Sequence, residues 1–244
     1  MLSQGYDGLE YWVIDGASTD GTPEYLADLT RRGVRTLSEP DRGISDAMNK
    51  GIARATGELV AHLHAGDAYA TGALERVARA FVAEPDADVF CSSMRKREER
   101  GDVVYSCDPS RLPFDMTVNH PATWTRRAAF ERFGGFDEKL KNVMDYDFFL
   151  RLHQASCRFH VIPEPLVVMD SGGQSERSLW LTLRETHAVR RTWLRSGWQR
   201  SSLYLGMLVL RGLARRGLQG IGLGRMVGWY RRRYALLPKH ETPR

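Results

Sequence analysis

The chain has 244 residues, 42% hydrophobic and 27% charged, with a formal net charge of +5. Such composition fits one large globular domain, alone or with an appendage, and excludes a disordered chain, a collagen-like repeat or a disulfide scaffold. Three widely spaced cysteines, Cys91, Cys107 and Cys157, form no CxxC pair, which argues against a zinc ribbon and for a reducing compartment. No apolar run reaches the roughly 18 residues of a membrane-spanning helix. The start, Met1-Leu2-Ser3-Gln4-Gly5, lacks the basic-then-apolar order of a secretory signal.

The net charge hides an asymmetry. From Arg190 to Arg244 there are 13 Lys and Arg against one acid, Glu241, a net +12. The other 189 residues carry 22 basic and 29 acidic side chains, a net −7. An acidic body excludes a general nucleic-acid binder. A basic, aromatic-containing tail suits membrane phosphates, nucleic acid or an acidic partner. Arg outnumbers Lys 30 to 5, a bias of GC-rich bacterial genomes.

In chain order, Tyr11 to Ile14 is a β-branched and aromatic run ending at Asp15-Gly16, a buried strand entering a polar turn. A helix is predicted over Pro23 to Arg32, capped by Asp20 or Thr22. Val34 to Ser38 reads as a strand and Ile44 to Ala55 as a helix with an apolar stripe of Ile44, Ala47, Met48 and Ile52. Glu58 to Leu63 is a third strand, entering the turn His64-Ala65-Gly66-Asp67. A helix over Ala73 to Ala83 and a strand over Ala87 to Cys91 follow. Arg95 to Arg100 reads as a solvated hairpin tip before an antiparallel strand over Val103 to Cys107. Arg126 to Phe133 and Asp145 to Ala155 read as helices, Arg158 to Ile162 and Leu166 to Met169 as strands. From Ser178 the pattern is helical, with interruptions, to about Leu237. This alternation predicts an α/β protein with a mostly parallel sheet, helices on its faces and a C-terminal helical basic tail.

In open parallel sheets, ligands bind at the carboxyl ends of the strands. Asp15 closes the first strand and Asp67 follows the third. Carboxylates there can accept from a nucleobase or ribose, or hold a divalent cation on phosphates. The competing reading is that both are turn and cap residues.

Several linked blocks resemble the family 2 inverting glycosyltransferases. Tyr11-Trp12-Val13-Ile14-Asp15-Gly16-Ala17-Ser18-Thr19-Asp20-Gly21-Thr22 is similar to the family's first signature. Ser38-Glu39-Pro40-Asp41-Arg42-Gly43-Ile44 and Asp46-Ala47-Met48-Asn49-Lys50-Gly51 resemble its second block. Leu63-His64-Ala65-Gly66-Asp67 stands at its metal-binding turn. Gly134-Gly135-Phe136-Asp137 followed by Asp145-Tyr146-Asp147-Phe148-Phe149-Leu150-Arg151 resembles its acceptor-side block. The likeness runs from about Leu2 to Arg195, so residues 1–195 read as a catalytic domain and 196–244 as a basic amphipathic tail.

The resemblance implies a nucleotide-diphospho-sugar-binding GT-A-like fold and a metal-dependent transfer to a glycan or lipid-linked acceptor. Asp15 matches the residue contacting the nucleotide, with Asp41 and Lys50 near the same cleft. Asp67 matches the carboxylate that coordinates Mg2+ or Mn2+ on the donor diphosphate, and Asp145 the general base. Asp147 either orients a substrate or caps its helix, with capping the favoured role. His120, in Asn119-His120-Pro121, either contacts phosphate or is structural. Gly172 and Gly173, in Ser171-Gly172-Gly173-Gln174-Ser175, either approach the diphosphate through backbone N–H groups or form a plain surface loop.

Two departures stand out. Gly66 replaces the earlier acid of the metal turn. The strand and helix that normally precede the first signature are not seen ahead of Tyr11, which implies unpaired sheet edges. Both departures also fit a catalytically impaired binding or scaffold relative. A nicotinamide-dependent enzyme is disfavoured because no GxGxxG follows a strand. The apolar stretch Leu203 to Leu210 is too short to span a bilayer, yet with Arg211, Arg215, Arg216 and the Trp229 to Arg233 cluster it suits an anionic membrane surface. The expected place is the cytoplasm, peripheral on the inner face of the plasma membrane, in bacterial surface-polysaccharide synthesis.

Overall fold

The structure, a computed structural model, describes residues 1–97, 101–169, 179–194, 197–203 and 206–207. A short 3-10 turn, Leu2–Gln4, precedes strand β1, Trp12–Asp15. Helix α1, Thr22–Arg31, leads to β2, Arg35–Ser38, and α2, Ile44–Arg54, to β3, Leu59–Ala61. Then come β4, Ala68–Tyr69; α3, Ala73–Ala83; β5, Val89–Lys96; and β6, Val103–Tyr105. The chain continues through β7, Thr123–Arg126; α4, Arg127–Phe133; α5, Met144–Gln154; β8, Phe159–Met169; and α6, Leu179–Trp193.

The α/β class with flanking helices holds, but the sheet is more mixed than the alternation implied. Parallel pairing joins β1 to β2 and β5 to β8. Pairs β3–β7, β5–β7, β5–β6 and β4–β8 are antiparallel. The strands form a two-stranded sheet, β1–β2, and a six-stranded one in which β6 branches from β5. β7 enters between β3 and β5 because the chain reverses at Asn119–Ala122, where the Asn119 amide donates to the carbonyls of Ser92 and Tyr105, each at 3.2 Å.

The larger sheet is covered on both faces, as the alternation along β5 requires. Val89 and Cys91 join Met48, Phe130, Phe148, Phe149, Leu150 and Leu152 on one face. Phe90 and Met94 join Val77, Trp124, Ile162 and Leu166 on the other, against α3. Burying a side chain of this size contributes about 1.5–3 kcal/mol. A third, small cluster of Leu26, Leu29 and Val34 packs α1 on the β1–β2 ribbon.

The ribbon is tied to the body at Glu10. Its carboxylate accepts from the backbone N of Thr56 at 2.8 Å, the Thr56 hydroxyl at 2.9 Å and the N of Gly57 at 3.1 Å. Burial raises its pKa, but these bonds and the Trp12 indole outweigh it and bring it to about 2. Among the described residues, β1 pairs only with β2 and β3 only with β7.

Three local expectations change. The two strands predicted around Pro163 and Pro165 are one, β8, with a register shift after Ser92↔Ile162. Proline has no N–H for the ladder, so the strand bulges there instead of ending. On α2, Ile44 points outward, 43% exposed, while Ser45, Asp46 and Met48 are buried. Asp46 accepts from the backbone N of Arg42 at 3.0 Å, which turns this polar face inward. Helix α1 begins after Gly21 without a side-chain cap, although Asp20 accepts from the Thr22 N at 2.9 Å.

Candidate functional site

Asp15 ends β1 in register with Ser38, the last residue of β2. Its carboxylate accepts from the Ser18 N at 3.0 Å, the Ser18 hydroxyl at 2.5 Å and the Ser38 hydroxyl at 2.6 Å. The Ser18 and Ser38 hydroxyls lower its pKa, so it stands as a fixed carboxylate. Asp41 lies against the next residue, Gly16, where any Cβ would collide with its Oδ2. It also accepts from the Gly43 N at 2.8 Å. The fold thus brings Asp15 and Asp41 together around Gly16. Lys50 turns toward the same loop, donating to the Pro40 carbonyl at 2.7 Å and pairing with Glu39 at 3.2 Å and Asp46 at 3.6 Å. Its ammonium therefore holds the turn that carries Asp41.

A second group forms where β3 runs out. The Asp67 N closes a turn on the His64 carbonyl at 3.0 Å, with Gly66 at φ +94°, a conformation glycine adopts freely. His64 Nε2 faces His120 Nδ1 at 3.5 Å. The His62 ring lies 5.6 Å from that of His120 and 5.3 Å from that of Phe136, and it hydrogen-bonds to the Met48 backbone. Burial, with His64 nearby, brings His62 to about 4; burial also lowers His64, and it holds His120 well below its usual value. All three are neutral imidazoles at pH 7, able to donate or accept a hydrogen bond but without charge. His120 would meet a phosphate as a neutral donor. The Nε2 atoms of His62 and His120 are buried without a protein partner among the described residues.

Asp145 is the second residue of α5, after Val143, which offers no side-chain cap. It accepts from the next backbone N, that of Tyr146, at 2.8 Å. Burial raises its pKa from 3.8 to about 6. One turn later on the same helix face, the Phe149 ring lies 6.0 Å from that of His120. Asp147 does not cap the helix. At two residues' spacing it points away from Asp145, accepting from the Trp193 indole at 2.7 Å and facing Arg151 at 3.5 Å. Gly172 and Gly173 lie outside the described residues.

The sequence reasoning passed over His62, Asn49 and Glu185. His62 stands two residues before His64, the spacing that puts strand residues on one face. Asn49 donates to the Phe136 carbonyl and accepts from the Phe136 N, both at 2.9 Å, pinning the Gly135–Phe136 turn to α2. No signal in the sequence pairs residues so far apart.

Among the described residues, no three His, Cys, Asp or Glu side chains gather to hold a metal. Asp67 offers one carboxylate, a donor that fits Mg2+ or Mn2+ bound largely through substrate phosphates and water.

The sequence matches the family model of glycosyl transferase family 2 over residues 1–152. It is 27% identical over 168 residues to the chondroitin synthase of Pasteurella multocida, covering 66% of this chain and 17% of that protein. It is 32% identical over 148 residues to a PGL/p-HBAD biosynthesis glycosyltransferase of Mycobacterium bovis, covering 58% and 57%. The chain thus spans well under two thirds of these relatives. The fold resembles S. aureus TarS 1-349 in complex with UDP-GlcNAc, with TM-score 0.60, 19% identity and coverage of 77% and 58%. It also resembles a mannosyltransferase from Pyrobaculum calidifontis in complex with GDP-Man and Mn2+, with TM-score 0.60, 16% identity and coverage of 94% and 74%. With the motif blocks placed in this fold, the chain belongs to glycosyl transferase family 2.

Proposed function

We propose that this chain is an inverting glycosyltransferase that moves a sugar from a nucleoside-diphosphate donor to a hydroxyl of a glycan or lipid-linked acceptor. The observation that carries the reading is Asp145, a carboxylate at a helix start whose burial brings it to about 6, one helical turn before Phe149, whose ring lies 6.0 Å from that of His120. A base of that pKa is ionised at pH 7 yet retains proton affinity. Asp145 takes the acceptor O–H proton as the oxygen bonds to the anomeric carbon. The bond from that carbon to the diphosphate breaks with its electron pair leaving on the nucleotide, and the carbon inverts. Asp15 and Asp41 hold the nucleoside; His120 meets the diphosphate. Asp67 would hold Mg2+ or Mn2+, which when bound neutralises charge on the departing diphosphate.

The same reading puts the protein on the cytoplasmic face of a bacterial membrane, making surface polysaccharide or glycolipid. Its support is the +12 segment from Arg190, with Trp180 (82% exposed) ahead of it and Leu203 (75% exposed) within it. Among the described residues no helix is long and apolar enough to cross a membrane. The test is transfer from a panel of nucleoside-diphosphate sugars with Mn2+, by the wild type and by Asp145→Asn. Full activity of the variant would remove Asp145 as the base. A second reading, a non-catalytic nucleotide-sugar-binding relative, is favoured by Gly66 in the metal turn. Calorimetry separates them: donor bound without turnover in any acceptor assay supports the second.

A further inference from the structure

Helix α6 lies beyond the family-matched residues 1–152, yet it grips both sides of Asp145. Glu185, 7% exposed, accepts from the backbone N of Lys141 at 3.0 Å with one carboxylate oxygen and from the N of Asn142 at 2.9 Å with the other. The Asn142 amide donates to the Thr182 hydroxyl at 2.9 Å. After Asp145, the Arg190 Nε donates to the Tyr146 hydroxyl at 3.0 Å and Trp193 to Asp147 at 2.7 Å. Helix N-termini need acceptors for their free N–H groups, and Val143 supplies none. Glu185 instead fixes the two residues just before the cap, and so the angle at which the chain enters α5.

We infer that Glu185 is a positioning residue for Asp145, so that α6 completes the active site without touching substrate. The inference rests on Asp145 being the general base. Catalysis is sensitive to placement at this scale: a displacement of about 1 Å costs on the order of a hundredfold in rate. Removing Glu185 takes the shared acceptor from the Lys141 and Asn142 N–H groups, and the entry to α5 loses its tie to α6.

The test compares Glu185→Ala and Glu185→Gln in the full chain by kinetics and by NMR titration of the Asp145 carboxyl. Glu185→Ala is expected to lower kcat between about tenfold and a hundredfold with donor KM within about twofold. The acid limb of kcat, and the carboxyl titration, are expected to move down toward the ordinary Asp range as the carboxylate gains water. Glu185→Gln, whose amide oxygen still accepts from one N–H, is expected to fall between the alanine variant and the wild type in both kcat and the Asp145 titration. It also serves as the folded variant if the alanine form unfolds. An unmoved Asp145 titration in either folded variant overturns the inference, even where thermal stability falls. The titration needs no turnover, so the inference can fail while Asp145 remains the base. Conversely, Asp145→Asn with full activity sinks the base assignment and the inference that rests on it.

Discussion

Asp145→Asn probes the site and the fold together. Burial moves this carboxyl from 3.8 to about 6, some 2 pKa units, which is about 3 kcal/mol against the ionised form. The sign follows from where protons bind. Between about pH 4 and 6 the folded protein holds a proton that the unfolded chain has released, so the group costs nothing below pH 4 and its full penalty above pH 6. Asparagine keeps the acceptor for the Tyr146 N and carries no charge. The variant is therefore expected to be more stable than the wild type at pH 7, by up to about 3 kcal/mol less the smaller cost of burying an amide. The difference closes by pH 4. Activity moves the other way: loss of a general base lowers kcat by about 10²–10⁴-fold. In the wild type kcat is expected to fall below pH 6, to about a tenth of its plateau at pH 5. Urea unfolding from pH 4 to 8 and initial rates over the same range measure both. A variant less stable at pH 7 than the wild type, or one within tenfold of its kcat, would refute the reasoning.

Other outcomes follow from the same geometry. His62, held near 4 by burial, is neutral in the fold and charged in the unfolded chain below pH 6.5, so it stabilises above pH 6.5 and that stability is lost as pH falls toward 4. The loss is about 3 kcal/mol, and His62→Gln should flatten the acid side of the urea-midpoint profile; an unchanged slope would exclude His62 as its source. Asp15→Ala strands the Ser18 and Ser38 donors and should cost about 1–3 kcal/mol while weakening nucleoside-diphosphate binding in calorimetry. Gly135→Ala drives a Cβ into Asn49, breaking its paired bonds to Phe136, and should lower the thermal midpoint by several degrees. Removing divalent metal with a chelator should suppress transfer but leave the unfolding curve unchanged, since no protein cage of three donors depends on it among the described residues.

Periodicity placed α3 over its full length, Ala73–Ala83, because its apolar residues recur at helical spacing between clear breaks. It split β8 because two prolines resemble a boundary locally, whereas eight paired positions on β5 hold the strand through them. It passed over β7, Thr123–Arg126, whose polar and aromatic residues are buried only because strands flank them on both sides. Asp147 reads as a cap from its place near a helix start, and only the packing of Trp193 from α6 reassigns it.

The sequence by itself determined the family, the α/β class and the identity of the acidic residues at the strand and helix ends. These depend on residue type and on spacing within short blocks, which local chemistry constrains. Tertiary structure alone decided the states of those residues. Burial raises the Asp145 carboxyl to about 6 and keeps three histidines neutral, and hydrogen bonds from Ser18 and Ser38 fix Asp15 as a carboxylate. Glu185 meets the chain before α5 from more than forty residues away. A group's pKa and placement depend on everything packed around it, and most of those neighbours are distant in the chain.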